Sequence, residues 1–458
     1  MTRTIGIRHR RKKTIEGEAR PTTVAIKVED KFVCHDLEIE TDELDFLLRR
    51  FPIQWEVAPE TDIVWFHPKN APTGIRPHHC KWKKISKEEV ATCRTNHVRK
   101  SLDSAGKPVN ERLTKIPVKF EGLLRGDSVA MVLGGSGDRF AAALSRRGEE
   151  IGAQVFRTPP SELKEKRETI ETSKDNDHLT LAVALGENPL IFYQLRRKDR
   201  DIIAVKEALS LRQDALKARI GCEQRIYQSL VGRIFLSEEG RYPEGLIEDE
   251  YDRIKASDAI LQGLLAEEKC RDKELERVVT NLEIWERIFK QVKGCGPRIA
   301  AGIIAGLGDI RRFVVPVNYD GADTAKERHN RKFKAIGKTL AKVKAFCGVH
   351  VLPDGSFPRR RAGQLANWSP LVRQSLYLLT DQFNRRPNTV WGKKLLAQKE
   401  KYRQTHPEPV EVEVEFRDGN EKFFKYSDGH IHKMALWHTA SKFIEWMSRE
   451  WLKIEEVY

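Results

Sequence analysis

Three groups of residues have the types and spacing to do chemistry. The first is Val292-Lys-Gly-Cys-Gly-Pro-Arg-Ile-Ala-Ala-Gly-Ile-Ile-Ala305, in which Gly294 and Gly296 bracket a tight turn between a long helix and a short apolar one. It reads as a helix-hairpin-helix. Glycines let the backbone approach a phosphate, and the amides opening the next helix, beside Arg298, can donate to it without reading base sequence. The same two glycines equally suit an ordinary joint between helices. The second group is His78-His-Cys80 with Cys93 and His97, a Cys-x12-Cys-x3-His series. Its ligand types suit Zn²⁺, but its spacing fits no standard finger, and packing is the alternative reading for such cysteines and histidines. The third is Gly134-Gly-Ser-Gly137 after an apolar run, which lacks both the lysine of a phosphate-binding loop and the dinucleotide glycine pattern and reads as a tight turn.

These residues sit in a basic chain of 458 residues, with 82 Lys and Arg against 67 Asp and Glu, a formal charge of +15. That balance favours a polyanionic partner, nucleic acid first and membrane surface second. The basic run Arg8 to Lys13 suits either phosphates or a solvated tail. Ser128 to Leu133 and Ile299 to Leu307 are the longest apolar runs, far short of the roughly 20 residues a bilayer crossing needs, so no membrane partner is expected. The N-terminus carries charge without a following apolar segment, which predicts an intracellular protein. Seven scattered cysteines do not make a disulfide framework in a chain this long, and a reducing compartment fits.

The elements that must position the motifs follow from periodicity. From Thr22 to about Leu185, apolar runs alternate with helical patterns: Val24 to Val28, Phe32 to Ile39, Ile63 to Phe66, Val129 to Leu133 and Gln154 to Phe156 predict strands. Val132 to Val155 reads as one βαβ unit, with its helix over Asp138 to Arg147, and the region as α/β. From Leu195, Ile202, Val205, Leu209, Leu216, Ile220, Tyr227 and Val231 predict one long helix. After a break at Glu238 to Gly245, a second puts Ile247, Ile254, Leu261, Leu275, Leu282 and Phe289 at one heptad position and Leu264, Val278, Trp285 and Val292 at the other. Glu268 and Arg271 interrupt the two series. The seam reads as a coiled coil, either an intrachain hairpin or a dimer. The remainder is helical apart from a β-hairpin over Val410 to Tyr426, and closes on an apolar helix from Ile431 to Ile454.

At Gly294-Cys-Gly-Pro-Arg-Ile-Ala-Ala-Gly-Ile-Ile-Ala-Gly-Leu-Gly-Asp-Ile-Arg-Arg-Phe313, followed by Ala345-Phe-Cys-Gly-Val349, the chain resembles the insertion-sequence-110 family of transposases. Asn367-Trp-Ser-Pro-Leu-Val-Arg-Gln-Ser-Leu-Tyr377 and Ala435-Leu-Trp-His-Thr-Ala440 extend the resemblance. It implies an α/β plus α protein: an N-terminal RNase H-like (RuvC-like) domain with an insertion over 1–190, coiled-coil helices over 195–293, and a mostly helical C-terminal transposase domain with a helix-hairpin-helix over 294–458. It also implies a DNA transposase or site-specific recombinase, a structured guide RNA, assembly into a dimer or tetramer, and a cytoplasmic, nucleoid-associated place in a prokaryote.

The resemblance places a nucleophilic serine in the loop Pro353-Asp-Gly-Ser-Phe-Pro-Arg-Arg-Arg361, which makes Ser356 the candidate. A serine attacking phosphorus needs a proton acceptor, for which Asp354 is the nearest carboxylate in sequence. It also needs cations to offset the charge on phosphate, for which Arg359, Arg360 and Arg361 are candidates. The resemblance further implies four acidic residues holding Mg²⁺. Asp175 and Asp177 are the candidate ligands, although they equally suit a helix cap. Arg8 in Gly6-Ile-Arg8 and Leu133 in Val132-Leu-Gly-Gly135 stand where the family has acids, with Asp127 and Asp138 as substitutes. Two readings follow: an Mg-assisted serine recombinase, or a catalytically degenerate nucleic-acid-binding protein derived from one. A structure-selective nuclease would need the full acidic set.

Overall fold

The structure, a computed structural model, describes residues 3–10, 18–59, 76–94, 97–103, 105–240, 242–321, 323–352, 356–359, 363, 366–416 and 419–457, without the side chains of 413–423. The chain divides into two units, Met1–Arg197 and Lys198–Tyr458.

The first unit is mixed α/β. β1 (Thr4–Arg8), β2 (Thr22–Val28) and β3 (Lys31–Leu37) form an antiparallel meander, the second and third where the apolar runs predict strands and the first ahead of the region that carries that pattern. α1 (Glu40–Leu47) leads into an insertion of β4 (Phe51–Val57), β5 (Lys81–Ile85), α2 (Lys87–Thr92), β6 (Val98–Leu102) and β7 (Pro108–Glu121). There β7 pairs antiparallel with β4, β5 and β6 as a separate sheet. β8 (Ser128–Val132) then pairs parallel with β1, α3 (Asp138–Ile151) crosses over, and β9 (Gln154–Thr158) pairs parallel with β8. α4 (Pro160–Thr169), α5 (Asp177–Glu187) and β10 (Tyr193–Gln194) complete a sheet of order β10-β9-β8-β1-β2-β3. The strand expected over Ile63 to Phe66 lies outside the described residues.

Ile5, Ile7, Val24, Ala25, Val129, Ala130 and Met131 are buried, as central strands covered on both faces require. One glycine fixes the most consequential contact of this core. A Cβ on Gly6 would stand 1.9 Å from the carbonyl oxygen of His178, so only glycine lets the start of α5 lie directly on β1.

In the second unit, α6 (Arg197–Phe235) runs antiparallel to α8 (Ala259–Thr280), with α7 (Ile247–Ser257) leading into α8. Arg212 reaches Glu268 at 3.1 Å and Asp272 at 3.0 Å, Arg219 also binds Glu268, and Glu223 meets Lys255 at 3.1 Å. Of the two pairings open in sequence, the chain therefore makes the intrachain hairpin. Glu268 interrupts the heptads because it accepts from two arginines of the opposite helix, while Arg271 binds its own neighbours Glu267 and Glu274.

The single helix predicted over Ile247 to Val292 is broken twice. At Asp258 the carboxylate caps Leu261 N at 2.7 Å and starts a new helix, and beyond Thr280 the chain widens into a π turn over Trp285–Phe289. The heptad residues Leu261, Leu275, Leu282, Trp285, Phe289 and Val292 are buried all the same. Most share one core with residues of the C-terminal helices, which is why the long helices do not stand apart as a third unit.

α9 (Pro297–Leu307), α10 (Ala325–Phe346), α11 (Pro370–Asn384) and α12 (Val390–Thr405) follow, then the predicted hairpin of β11 (Val410–Phe416) and β12 (Gly419–Lys425), and α13 (Asp428–Ile454). Among the described residues no helix is long and apolar enough to cross a membrane.

The Gly308-Asp309-Ile310-Arg311-Arg312-Phe313 stretch that carries the resemblance is structural. Asp309 caps Arg311 N at 2.9 Å, and the buried Arg311 guanidinium is shared by Asp309 and Asp199, with Glu455 3.8 Å away. Those carboxylates outweigh burial and hold Arg311 charged.

Candidate functional site

Because β1 and β8 are parallel, their C-terminal ends at Arg8 and Leu133 reach one edge of the sheet, and Gly6 brings the start of α5 to it. The three segments predicted to hold acids therefore do converge. What they gather is guanidinium as well as carboxylate. Arg8 Nη1 donates to Asp175 O at 3.1 Å and lies 3.7 Å from its Oδ1, while Nη2 donates to Thr23 Oγ1 at 2.6 Å. Thr23 Oγ1 in turn donates to Asp36 Oδ1 at 2.8 Å. Arg20 pairs with the exposed Asp175 carboxylate, and Arg167 Nη1 donates to both oxygens of Asp177 at 2.9 Å. Burial pushes the Asp177 carboxyl above its usual range, against the opposing pull of Arg167 and Arg8.

Nor do the substitutes complete an acidic cluster. Asp127 precedes β8, at the opposite edge, where Arg3 takes both its oxygens. Asp138 is bound to Arg157. A Mg²⁺ ion needs carboxylate oxygens free of competing cations. The residues present, with Arg8 between β1 and Asp175 and Asp177 held by Arg167, do not fit one.

The glycine turn Gly134 to Gly137 abuts the same edge, its Ser136 Oγ 2.9 Å from His9 Nδ1. It opens α3 as a turn with no lysine of its own.

The two glycines of the hairpin differ. Gly294 has φ +96°, and a Cβ there would meet the Cβ of Gln382 on α11 at 3.0 Å, so this glycine is required by packing within the protein. Gly296, the residue before α9, has open space around the place of its Cβ. Cys295 between them is buried, its thiol pushed up to about 12. Arg298 is exposed, though one Nη holds Asp272 at 2.7 Å.

Ser356 is half-buried, and its carbonyl accepts from Leu352 N at 2.8 Å, closing the loop whose Pro353, Asp354 and Gly355 lie outside the described residues, as do Arg360 and Arg361. Arg359 is exposed and near enough to His430 on α13 to depress its pKa, after burial as the larger cause. His350 is likewise depressed by burial, then by Arg373. Arg373 caps the loop's approach by donating to Gly348 O.

The His78, Cys80, Cys93 and His97 set is not gathered into one site. Cys80 is buried, its thiol pushed up to about 11 and directed to Arg76 O at 3.7 Å. Among the described residues the group able to hold a metal ion is Asp45, His78 and His79, with ligand atoms within 4.8 Å of one another. Asp45 Oδ2 is 2.8 Å from both Nε2 atoms. Arg76 N–H points at His79 Nδ1 at 3.2 Å, which makes Nδ1 the acceptor and Nε2 the proton carrier. A metal on Nε2 would require the proton to move to Nδ1, against that amide. Buried Asp45 and His79 therefore already satisfy each other.

Sequence reasoning missed Arg20, Thr23, Asp36 and Arg167 around the carboxylates, since they come from three segments distant from Asp175 and Asp177 or unremarkable in pattern, and missed Asp45, which is separated from its histidines by the inserted β4. No family model matches the chain, and no curated relative matches it.

Proposed function

We propose that this chain is a nucleic-acid-binding protein built on the plan of an insertion-sequence-110-type transposase, with arginines standing where that plan calls for Mg²⁺. The observation that carries the reading is Arg8. It projects from the end of β1 onto Asp175, and together with Arg20 and Arg167 it neutralises the carboxylates of that edge. Bare carboxylates at this place would repel a phosphodiester, and paired ones do not.

The sheet order supports the RNase H-like reading of the first unit, with an antiparallel meander, two further parallel strands and α5 on the first strand. The tight turn before α9 supports a helix-hairpin-helix of which Gly296 is the open corner. The net charge of +15 supports a polyanionic partner. Strand exchange through Ser356, guided by RNA and carried out by assembled protomers, is the enzyme reading that competes with it.

One experiment separates the two. Purified protein with its co-purifying RNA is mixed with labelled DNA and Mg²⁺, and the products are run on native and denaturing gels for wild type and Ser356→Ala. Retarded DNA with no covalent adduct, the same for both proteins, is the expected result. An adduct present in wild type and lost in Ser356→Ala would establish the recombinase instead.

A further inference from the structure

We infer that a pocket at the start of α10 binds an unpaired nucleotide of a nucleic-acid strand, the phosphate on Arg328, His329 and Lys332 and the base on Tyr319. This rests on the nucleic-acid reading above and assigns a place to one of its contacts. The four residues line a surface pocket of about 360 Å³, the low end of the usual range for small-molecule sites.

The pocket is held in shape. Arg331, on the same helix, donates to three main-chain carbonyls of the preceding loop, Asn318 at 3.2 Å, Asp320 at 2.6 Å and Gly321 at 3.2 Å. Asp320 N returns to Asn318 Oδ1 at 2.7 Å. The loop bearing Tyr319 is thereby tied to the helix bearing the cations. Thr324 Oγ1 accepts from Glu327 N at 3.2 Å while Glu327 accepts from Thr324 N at 3.0 Å, so the first turn of α10 is fixed as well. Arg328 and Lys332 stand four residues apart, one above the other on the same face.

The chemistry of the surroundings selects the ligand. Of the 22 residues of α10, eight are Lys or Arg and only Glu327 is acidic. Lys334, Lys338 and Lys342 continue the charge along the exposed side, and the span from Lys326 to Lys342 is about 24 Å at the α-helical rise. Beside them two aromatic rings face solvent, Tyr319 at 47% and Phe333 at 65% exposure. Cations that follow a phosphate backbone, with aromatic faces between them, are what a single strand needs, because its bases present π-faces for stacking. A duplex keeps those faces inside its own stack.

The test is fluorescence anisotropy of the full chain with labelled oligo-dT, oligo-U and a blunt duplex of equal length. Tyr319→Ala is expected to weaken both single strands by about 10-fold and the duplex by less than about twofold. Lys332→Gln is expected to reduce the slope of log affinity against log salt by about 0.7 on single strands. Lys217→Gln, an exposed cation on α6, is the charge control and leaves both unchanged. Single-strand binding by Tyr319→Ala and Lys332→Gln that matches wild type, or wild-type binding confined to duplex, overturns the pocket. Failure of wild type to bind any of the three overturns the nucleic-acid reading itself.

Discussion

The Arg8 guanidinium donates to the main-chain oxygen of Asp175 at 3.1 Å and lies 3.7 Å from its carboxylate, so a cation carried by the first strand occupies the ground between that strand's end and the start of α5. A bound divalent ion would have to displace a tethered charge that also donates to Thr23.

That relationship predicts how Mg²⁺ acts. In differential scanning fluorimetry against KCl of equal ionic strength, Mg²⁺ leaves the wild-type Tm unchanged. Arg8→Asp, which costs about 1–3 kcal/mol without the ion by removing a charged hydrogen-bond donor, regains several degrees when Mg²⁺ is added. An equal Mg²⁺-dependent rise in wild type would show that the arginine does not hold the ion's place.

The two hairpin glycines should separate packing from binding. Gly294→Ala forces a Cβ into left-handed backbone and onto Gln382, and is expected to cost about 1–3 kcal/mol in urea unfolding. Gly296→Ala meets open space at φ −77° and changes stability by less than about 1 kcal/mol. If Gly294→Ala keeps its stability and loses only affinity for DNA, the glycine serves phosphate contact instead.

Arg212 and Glu268 join the antiparallel helices at partly buried positions. A double-mutant cycle of Arg212→Ala and Glu268→Ala is expected to give a coupling of about 0.5–2 kcal/mol. A coupling near zero would mean that Glu268 is held by Arg219 alone.

Acid sensitivity in the second unit follows from its histidines. Burial is the leading cause that lowers His350, His430, His432 and His438 below the usual imidazole value. They take up protons less readily when folded than when unfolded. Their contribution is present above the unfolded value of about 6.5 and is lost as pH falls from there through the folded values, by up to about 1.4 kcal/mol per pH unit for each proton. Urea midpoints should therefore drop between pH 7.5 and 5.5, and His438→Gln should shrink that drop. Identical pH profiles for wild type and variant would remove His438 from the account.

Removal of metal tests the Asp45 triad. With Nε2 of His79 protonated by the Arg76 contact, EDTA leaves Tm unchanged, while His79→Ala costs about 2–3 kcal/mol by stripping a buried carboxylate of its enclosed partner. His78→Ala costs less because that ring is half in solvent. One equivalent of zinc retained through purification, with a fall in Tm on chelation, would make the triad a metal centre.

Local pattern was enough for much of the fold. Alternation gave the hairpin of β11 and β12, apolar runs with a glycine turn gave β8, α3 and β9, and heptad spacing gave the helices whose Leu275 and Phe289 are buried. These features depend on contacts a few residues apart or on a period repeated many times, so composition and spacing determine them. Charge likewise follows from composition alone. What the tertiary structure decided is which distant side chains meet. Arg8 reads in sequence as one replaced acid, and only the pairing of β1 with β8, together with the close approach of α5 at Gly6, sets it against Asp175 and brings Arg20 and Arg167 to the same carboxylates. Asp45 meets His79 across an inserted strand, Glu268 turns from a heptad defect into the acceptor of two arginines, and Arg331 binds a loop ten residues and more upstream. Each of these is a polar or charged group finding its partner through space, where the energy depends on distance and burial and the order of residues along the chain carries no measure of either.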